Sequence, residues 1–215
     1  MMGCWLGGMV FLCLLAPAQE RKGLEFPPPT TTVGVIKKVE EERTALLIKV
    51  RGKTLRVPLD LHPKVVVTKH KAVPLRKLPG GTGLWVLGRR QESQRVPGSA
   101  GTFPPQIVQI AAVVAGPFEV RGLSKEAKKR KLVWISGSLQ RGKNEIRLDE
   151  TNMQLGSERL VTVVEKAKKE ALKKKQRVYV VGHLKEKMRP KELHPRSIAI
   201  LSPKIPAREY SFILQ

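Results

Sequence analysis

One five-residue pattern occurs twice in this chain, and it restricts the possible folds more than any other feature. Residues 84–88 (LWVLG) and 178–182 (VYVVG) both follow the order apolar, aromatic, apolar, apolar, glycine. Each segment is followed by a basic loop and then by a run rich in Ile and Ala, at 110–113 and at 198–201. The two copies of the pattern lie too far apart in the chain for a solenoid repeat, whose unit has about 20–50 residues. The pattern therefore predicts a duplicated domain.

Short β-branched and apolar runs, bounded by Gly, Pro and charged turns, surround both segments and are typical of strands. The sequence predicts strands at 33–39, 45–50, 54–59, 84–88 and 107–114, and again at 133–139, 145–148, 159–164, 177–181 and 197–201. Hydrophobic residues make up 41% of the chain and aromatic residues only 5%. The core is therefore expected to consist mainly of Val, Leu and Ile, which suits strands.

A single α-helix is predicted over residues 165–175. The apolar residues Val164, Ala167, Ala171 and Leu172 fall on one narrow stripe at helical spacing. Lys174 and the residue after it stand at the C-terminal end, where the helix dipole favours positive charge.

This order of elements resembles the OB-fold, a small, partly open barrel of five strands with a helix between the third and the fourth. The likeness covers most of residues 33–115 and 132–203. In the first half, residues 68–78 take the place of the helix. The resemblance implies a mainly β protein with two OB-like five-stranded barrels in tandem and one α-helix in the second. It is similar in kind to small exported bacterial OB-fold proteins.

Five segments are expected on this basis. They are a signal peptide at 1–18, a Pro/Thr-rich leader at 19–32, a first and degenerate OB-like domain at 33–121, a basic linker at 122–131, and a second OB-like domain with a C-terminal tail at 132–215.

The N-terminus has the pattern of an export signal. Residues 5–16 are almost wholly apolar, and the small residues Ala16 and Ala18 form a signal-peptidase pattern, although no Lys or Arg precedes the run. The run is too short to span a bilayer, which takes about 20 residues. We therefore expect a periplasmic or secreted protein that begins near Gln19 and has no transmembrane span once the signal is removed. Both cysteines, Cys4 and Cys13, lie in the signal, so the mature chain would contain no disulfide and no thiolate metal site.

The charge balance points to a class of ligand. Lys and Arg total 41 against 18 for Asp and Glu, a formal net charge of +23. Such an excess predicts attraction to a polyanion, either nucleic acid, acidic polysaccharide or an anionic membrane surface. The alternative is a solvated basic surface without a dedicated ligand.

OB-folds as a group bind oligonucleotides, oligosaccharides or proteins through their second and third strands and the loops joining strands one and two and strands four and five. In the second half these positions are basic. The resemblance implies a polyanion site formed by Arg141, Lys143, Arg147, Lys185, Lys187 and Arg189. Exposed rings for base stacking are scarce, since Trp85, Trp134 and Tyr179 lie inside strand patterns and are expected in the core.

Catalysis finds little support in the sequence. Asp60, His62 and His70 suggest a metal or acid–base site, but no third ligand with suitable spacing accompanies the histidines. The glycine-rich segment 80–83 lacks the Lys-Ser/Thr of a phosphate loop and predicts a turn. No cofactor, metal or enzymatic activity is expected.

Two functions remain. The first is an exported, non-enzymatic module that binds a polyanion such as single-stranded nucleic acid or acidic polysaccharide. The second is a structural or protein-interaction component of the cell envelope, with envelope proteins as partners and a basic solvated surface.

Overall fold

The computed structural model describes residues 29–60, 65–95, 102–118, 120, 122–142, 146–156, 158–185 and 191–214. The predicted signal peptide, most of the predicted leader and both cysteines lie outside these ranges. The described part is mainly β. Its strands are β1 Thr30–Val39, β2 Ala45–Val50, β3 Lys53–Pro58, β4 Val66–Pro74, β5 Gly83–Gln91, β6 Gln94–Arg95, β7 Thr102–Phe103, β8 Gln106–Ala115, β9 Val133–Arg141, β10 Ile146–Leu148, β11 Thr151–Met153, β12 Leu160–Ala167, β13 Arg177–Lys185 and β14 Glu192–Ile200. Two short helices, α1 Lys125–Lys129 and α2 Ala207–Ile213, accompany them.

Five of these strands form a closed barrel. Antiparallel pairing joins β3 to β2, β2 to β1, β1 to β13 and β13 to β14. The barrel closes where β14 runs parallel to β3, with Glu192 opposite Arg56. The Arg56 backbone N–H donates to the carbonyl of Lys191 at 3.0 Å. Twelve buried residues form the apolar core of the barrel: Ile36, Leu46, Ile48, Val57, Leu59, Val67, Leu172, Val178, Val180, Leu193, Ile198 and Ile200.

The sheet continues beyond the barrel. From β14 it passes to β4, β12, β8, β5, β9, β10 and β11, and β11 also pairs in parallel with β8 at Asn152–Gln106 and Met153–Ile107. A second apolar cluster, which includes Leu84, Val86 and Leu139, packs between these strands. The short strands β6 and β7 pair only with each other within the described part.

Strands from the two halves of the chain pair with each other. β1 pairs with β13, and β5 pairs with β9. Segments 33–121 and 132–215 therefore share one sheet, and the expected boundary at 122–131 does not divide it. The division of the chain into two domains stays a prediction. The expected linker contains α1, whose N-terminus is capped by the Ser124 hydroxyl, an acceptor for the Ala127 N–H at 2.9 Å.

The predicted helix over 165–175 is wrong. β12 extends to Ala167 and pairs antiparallel with β4 over eight residues, and only a 3-10 turn, Lys169–Ala171, follows. Val161, Val163 and Val164 are stiff at χ1 and pack well on a pleated surface. Leu172 is buried in the barrel core, so the apolar residues of the stripe are used by a strand and a turn.

β4 was not expected as a strand. The OB-like order predicts that residues 68–78 take the place of the helix. Val66–Pro74 is instead a strand that runs parallel to β14 on one side and antiparallel to β12 on the other. The predicted turn at 80–83 is confirmed, with Gly81 at a φ of 80° and the Thr82 hydroxyl donating to the Pro79 carbonyl at 2.7 Å.

A third apolar cluster lies where α2 covers the middle of the sheet. Trp85, Trp134 and Tyr179, which were expected in the core, are partly buried and pack against this cluster. Trp134 and Trp85 are half-buried around Phe118, with ring centroids 5.1 Å and 6.5 Å from it. The Tyr179 hydroxyl donates to the Leu214 carbonyl at 2.6 Å. Within the part of the chain that the structure describes, no helix is long and apolar enough to cross a membrane.

Candidate functional site

The outer face of β1 presents apolar and basic side chains next to each other. Val33 and Val35 are 41% and 42% exposed. Val35 lies between Arg177 of β13 on one side and Lys49 of β2 on the other. The side chains of Arg177, Lys49 and the nearby Lys37 are all exposed. These five residues, Val33, Val35, Lys37, Lys49 and Arg177, are called the β1 face below.

A lysine-rich turn adjoins this face. Lys175 has a φ of 69°, and its N–H donates to the Ile36 carbonyl at 2.8 Å, while the Ile36 N–H donates to the Gln176 carbonyl at 2.9 Å. The Gln176 side chain holds the turn, because it accepts from the Lys173 N–H at 2.7 Å and donates to the Ala171 carbonyl at 3.1 Å. The exposed lysines 173–175 therefore lie beside the second half of β1.

Positive charge on the β1 face is not neutralised by its described surroundings. Lys37, Lys49 and Arg177 form no ion pair with any residue that the structure describes. At the far end of β1, Glu40 accepts from the Arg56 guanidinium at 3.0 Å. A cluster of cations without acidic partners raises the local positive potential, which favours an anionic ligand.

Arg56 connects the acidic groups at the seam of the barrel. Its guanidinium also binds Glu192 at 2.9 Å, and Glu192 contacts the His194 ring at 3.2 Å. The hydrogen bond from Arg56 holds the pKa of Glu192 below its usual range. This cluster joins β3 to β14 and has a structural role.

Of the predicted site residues, Arg141 is held in a structural contact. Its guanidinium donates to the carbonyls of Leu75 at 2.8 Å and of Leu78, which are the first residue of the 3-10 turn Leu75–Lys77 and the residue that follows it. Arg147 is an exposed residue of β10, opposite Gln140 of β9.

Lys185 lies elsewhere in the sheet. It is exposed at the end of β13, opposite Glu192, and five strands separate β13 from β9 in the sheet order. Lys143, Lys187 and Arg189 lie outside the described residues. The described members of the predicted set thus occupy two regions of the sheet, and a common binding surface for all six stays a prediction.

The β1 face was missed from the sequence. Its cations come from positions 37, 49 and 177, which only strand pairing brings together. The signal available was the two-residue spacing of Val33 and Val35, which places both side chains on one side of a strand. Lys37 follows them where β1 shifts its register between Ile36 and Lys38.

The histidine and aspartate singled out earlier do not form a described catalytic group. His70 is buried on β4, with its ring centroid 5.7 Å from that of Tyr210. Asp60 is exposed just after β3, and His62 lies outside the described residues. Among the residues described, no three His, Cys, Asp or Glu side chains are grouped to hold a metal ion.

One partly buried ion pair joins α2 to the strands that it covers. Arg159 donates to Glu209 at 3.2 Å and to the Ala111 carbonyl at 3.1 Å. Burial raises the pKa of Glu209, and the charge of Arg159 partly opposes that rise. The pair lies under the C-terminal helix, on a different part of the fold from the β1 face.

No protein-family model matches the chain, and neither a curated protein nor a solved structure shows a significant similarity to it.

Proposed function

We propose that the protein is a non-enzymatic module that binds a polyanion, such as single-stranded nucleic acid or acidic polysaccharide, through the β1 face. The observation that carries this proposal is the exposed Val35 between two cations that have no described acidic partner. Neighbouring strands lie about 4.8 Å apart, so Arg177 and Lys49 stand roughly 10 Å from each other across β1. Two cations at that spacing suit separate anionic groups of one extended chain.

The two valines add a second kind of contact. A flexible polyanion that lies across β1 would place its charges on Arg177, Lys49 and Lys37 and an apolar surface, such as a base or a sugar ring, on Val33 and Val35. Burying this apolar area contributes about 25 cal/mol per Å². The lysines at 173–175 extend the basic surface beyond the end of β1.

The same proposal includes a finer description of the fold. We propose that β5, β8, β9, β10 and β11 close a second barrel, because β11 pairs with β8 as β3 pairs with β14. In both groups a three-stranded meander is followed around the ring by a parallel strand and then by an antiparallel one, which is an OB-like order.

Neutralising the β1 face should weaken binding and its dependence on salt. For the combined variant Lys37→Gln, Lys49→Gln and Arg177→Gln, we expect the slope of log Kobs against log salt to become shallower by about 2 to 3, because each lost contact releases about 0.7–0.9 fewer counterions. The measurement is a salt titration of binding to a single-stranded oligonucleotide and to heparin.

Two further variants make this test specific. Lys125→Gln, Lys128→Gln and Lys129→Gln remove the same charge from exposed positions on α1 and should change the slope by less than half as much. Lys185→Gln, Lys187→Gln and Arg189→Gln examine the loop predicted from the sequence. Equal losses in all three variants would show diffuse attraction without a site. No binding to either polyanion at low salt would favour the envelope-structural function, with Val33 and Val35 as a protein contact.

Export belongs to this proposal as well. The apolar run at 5–16 and the small residues at 16 and 18 support removal of a signal peptide. N-terminal sequencing of the protein from its native host should give a start near Gln19. Intact Met1 on cytosolic protein would contradict export and favour an intracellular polyanion.

A further inference from the structure

Each half of the chain supplies the same succession of strands. The first half contains the meander β1–β2–β3, the single strand β4 and the pair β5–β8. The second half contains the meander β9–β10–β11, the single strand β12 and the pair β13–β14. The pairings, however, cross between the halves. The first meander is completed by β13 and β14, and the second by β5 and β8.

Register shows that the two arrangements correspond residue by residue. Gly34 of β1 lies opposite Val178 of β13, and Gly137 of β9 lies opposite Leu84 of β5. At both glycines an added Cβ would come within 3 Å of the next strand of its meander, at Val50 Cγ2 for Gly34 and at the Leu148 side chain for Gly137. The repeated sequence pattern therefore occupies equivalent positions in two equivalent sets of strands.

Both ladders also change register close to the glycine that ends each pattern. The ladder between β5 and β8 shifts its register between Leu87 and Arg89, and the ladder between β13 and β14 shifts between Val181 and Gly182. Bulges of this kind bend a strand and raise its twist.

β4 and β12 relate the two sets by a local two-fold axis. They are antiparallel neighbours, with His70 opposite Val164, Lys69 opposite Glu165 and Lys71 opposite Val163. β4 runs parallel to β14, and β12 runs parallel to β8. His70 and Val164 have the same separation in sequence as Leu84 and Val178, so the axis passes between them.

We infer that the protein is an internal strand exchange between two copies of one five-stranded module. β4 and β12 are the two crossing strands, and each half of the chain is the partner that completes the other. This arrangement differs from two modules in tandem, in which β1 would pair with β5 and β9 with β13. It also implies that the halves remain associated without a continuous backbone between them, since domain-swapped units are held by the contacts of the closed module.

Paired cysteines distinguish exchange from tandem modules. Val35 lies opposite Arg177, and Ser138 lies opposite Gly83. Val35 in the first set is equivalent to Ser138 in the second, and Arg177 is equivalent to Gly83. Cross-strand neighbours have Cα atoms about 4.5–5.5 Å apart, within the range that a disulfide bridges. We expect oxidation to cross-link Val35→Cys with Arg177→Cys, and Ser138→Cys with Gly83→Cys. The unexchanged combinations, Val35→Cys with Gly83→Cys and Ser138→Cys with Arg177→Cys, should stay as thiols.

The readout uses the full chain with Cys4 and Cys13 replaced by serine and a protease site inserted at Gly122, an exposed position whose Cβ would meet nothing within 4 Å. After cleavage, the exchanged pairs should join the two fragments on a non-reducing gel. Without any cysteine, the cleaved fragments should co-elute at the size of the uncut chain. Cross-linking of the unexchanged combinations, or separation of the cleaved fragments in native buffer, would overturn the inference.

Discussion

Replacing Gly182 by alanine should lower the free energy of unfolding by about 3 kcal/mol. A Cβ at this position would overlap the carbonyl oxygen of His194 on the neighbouring strand and lie 2.9 Å from the Cα of Pro195. Both atoms belong to the backbone of β14, so no side-chain rotation relieves the overlap. The strands would have to separate at a bulge where their register already shifts.

Gly83 offers a matched control for this substitution. It begins β5, the strand that corresponds to β13, but it is exposed and its Cβ would meet nothing within 4 Å. Gly83→Ala should therefore change stability by no more than about 0.5 kcal/mol. Urea unfolding of both variants measures the difference, and equal stability of Gly182→Ala and the parent chain would show that β14 is not packed against Gly182 as described.

The positions of several strands could be predicted well from the sequence. Apolar runs ending at Gly or Pro gave strand positions that agree with the structure, for instance β2 at Ala45–Val50. Such runs are local signals, because alternation and turn residues depend on neighbouring positions only. The prediction of a duplicated order of elements rests on the same local signals.

Pairing partners, in contrast, depend on contacts that are distant in the chain. The stripe of Val164, Ala167, Ala171 and Leu172 satisfies helical spacing, yet β12 gains eight paired residues from β4, about 90 positions away. Intrinsic propensity is a weak prior that tertiary context overrides. For the same reason the sequence gives no sign that strands of both halves share one sheet.

The residues of the candidate site were harder to predict from the sequence than the strand pairing. Arg141 looks like a free surface cation in the sequence, but its guanidinium binds two backbone carbonyls near a 3-10 turn. Conversely, nothing in the sequence around Lys49 or around Arg177 indicates that the two residues are neighbours in the fold. They become neighbours only because both strands pair with β1, on either side of Val35.

His70 should make stability fall as the pH decreases from about 6.5 towards 4. The side chain is only 6% exposed, and its Nδ1 has no hydrogen-bond partner in the described structure. Burial lowers the pKa of His70 to about 4 from 6.5, so the folded protein holds the neutral ring while the unfolded chain binds a proton below pH 6.5. The stability that the neutral His70 ring contributes is fully present above pH 6.5 and is lost as the pH falls to about 4.

The size follows from the two pKa values of His70. At about 1.4 kcal/mol for each pH unit, the folded state should lose about 2.5 kcal/mol between pH 7.5 and pH 4.5 through this residue alone. Urea unfolding of the parent chain at the two pH values measures the total change. His70→Gln, which keeps a polar side chain that does not titrate, should lack this part of it.

Other titrating groups of the protein require the comparison to be made between the two chains. Burial also raises the pKa of Tyr210, whose ring faces His70, to about 12, so this phenol stays neutral throughout the range. Glu209 has a raised pKa and therefore acts in the opposite direction, because its protonation at lower pH favours the folded state. The lowered pKa of Glu192 places its effect mainly below pH 4.5. These contributions are common to the parent chain and His70→Gln and cancel in the difference. Equal losses of stability in both chains would show that the imidazole is hydrated or paired in the folded protein, and that α2 does not cover it as the structure describes.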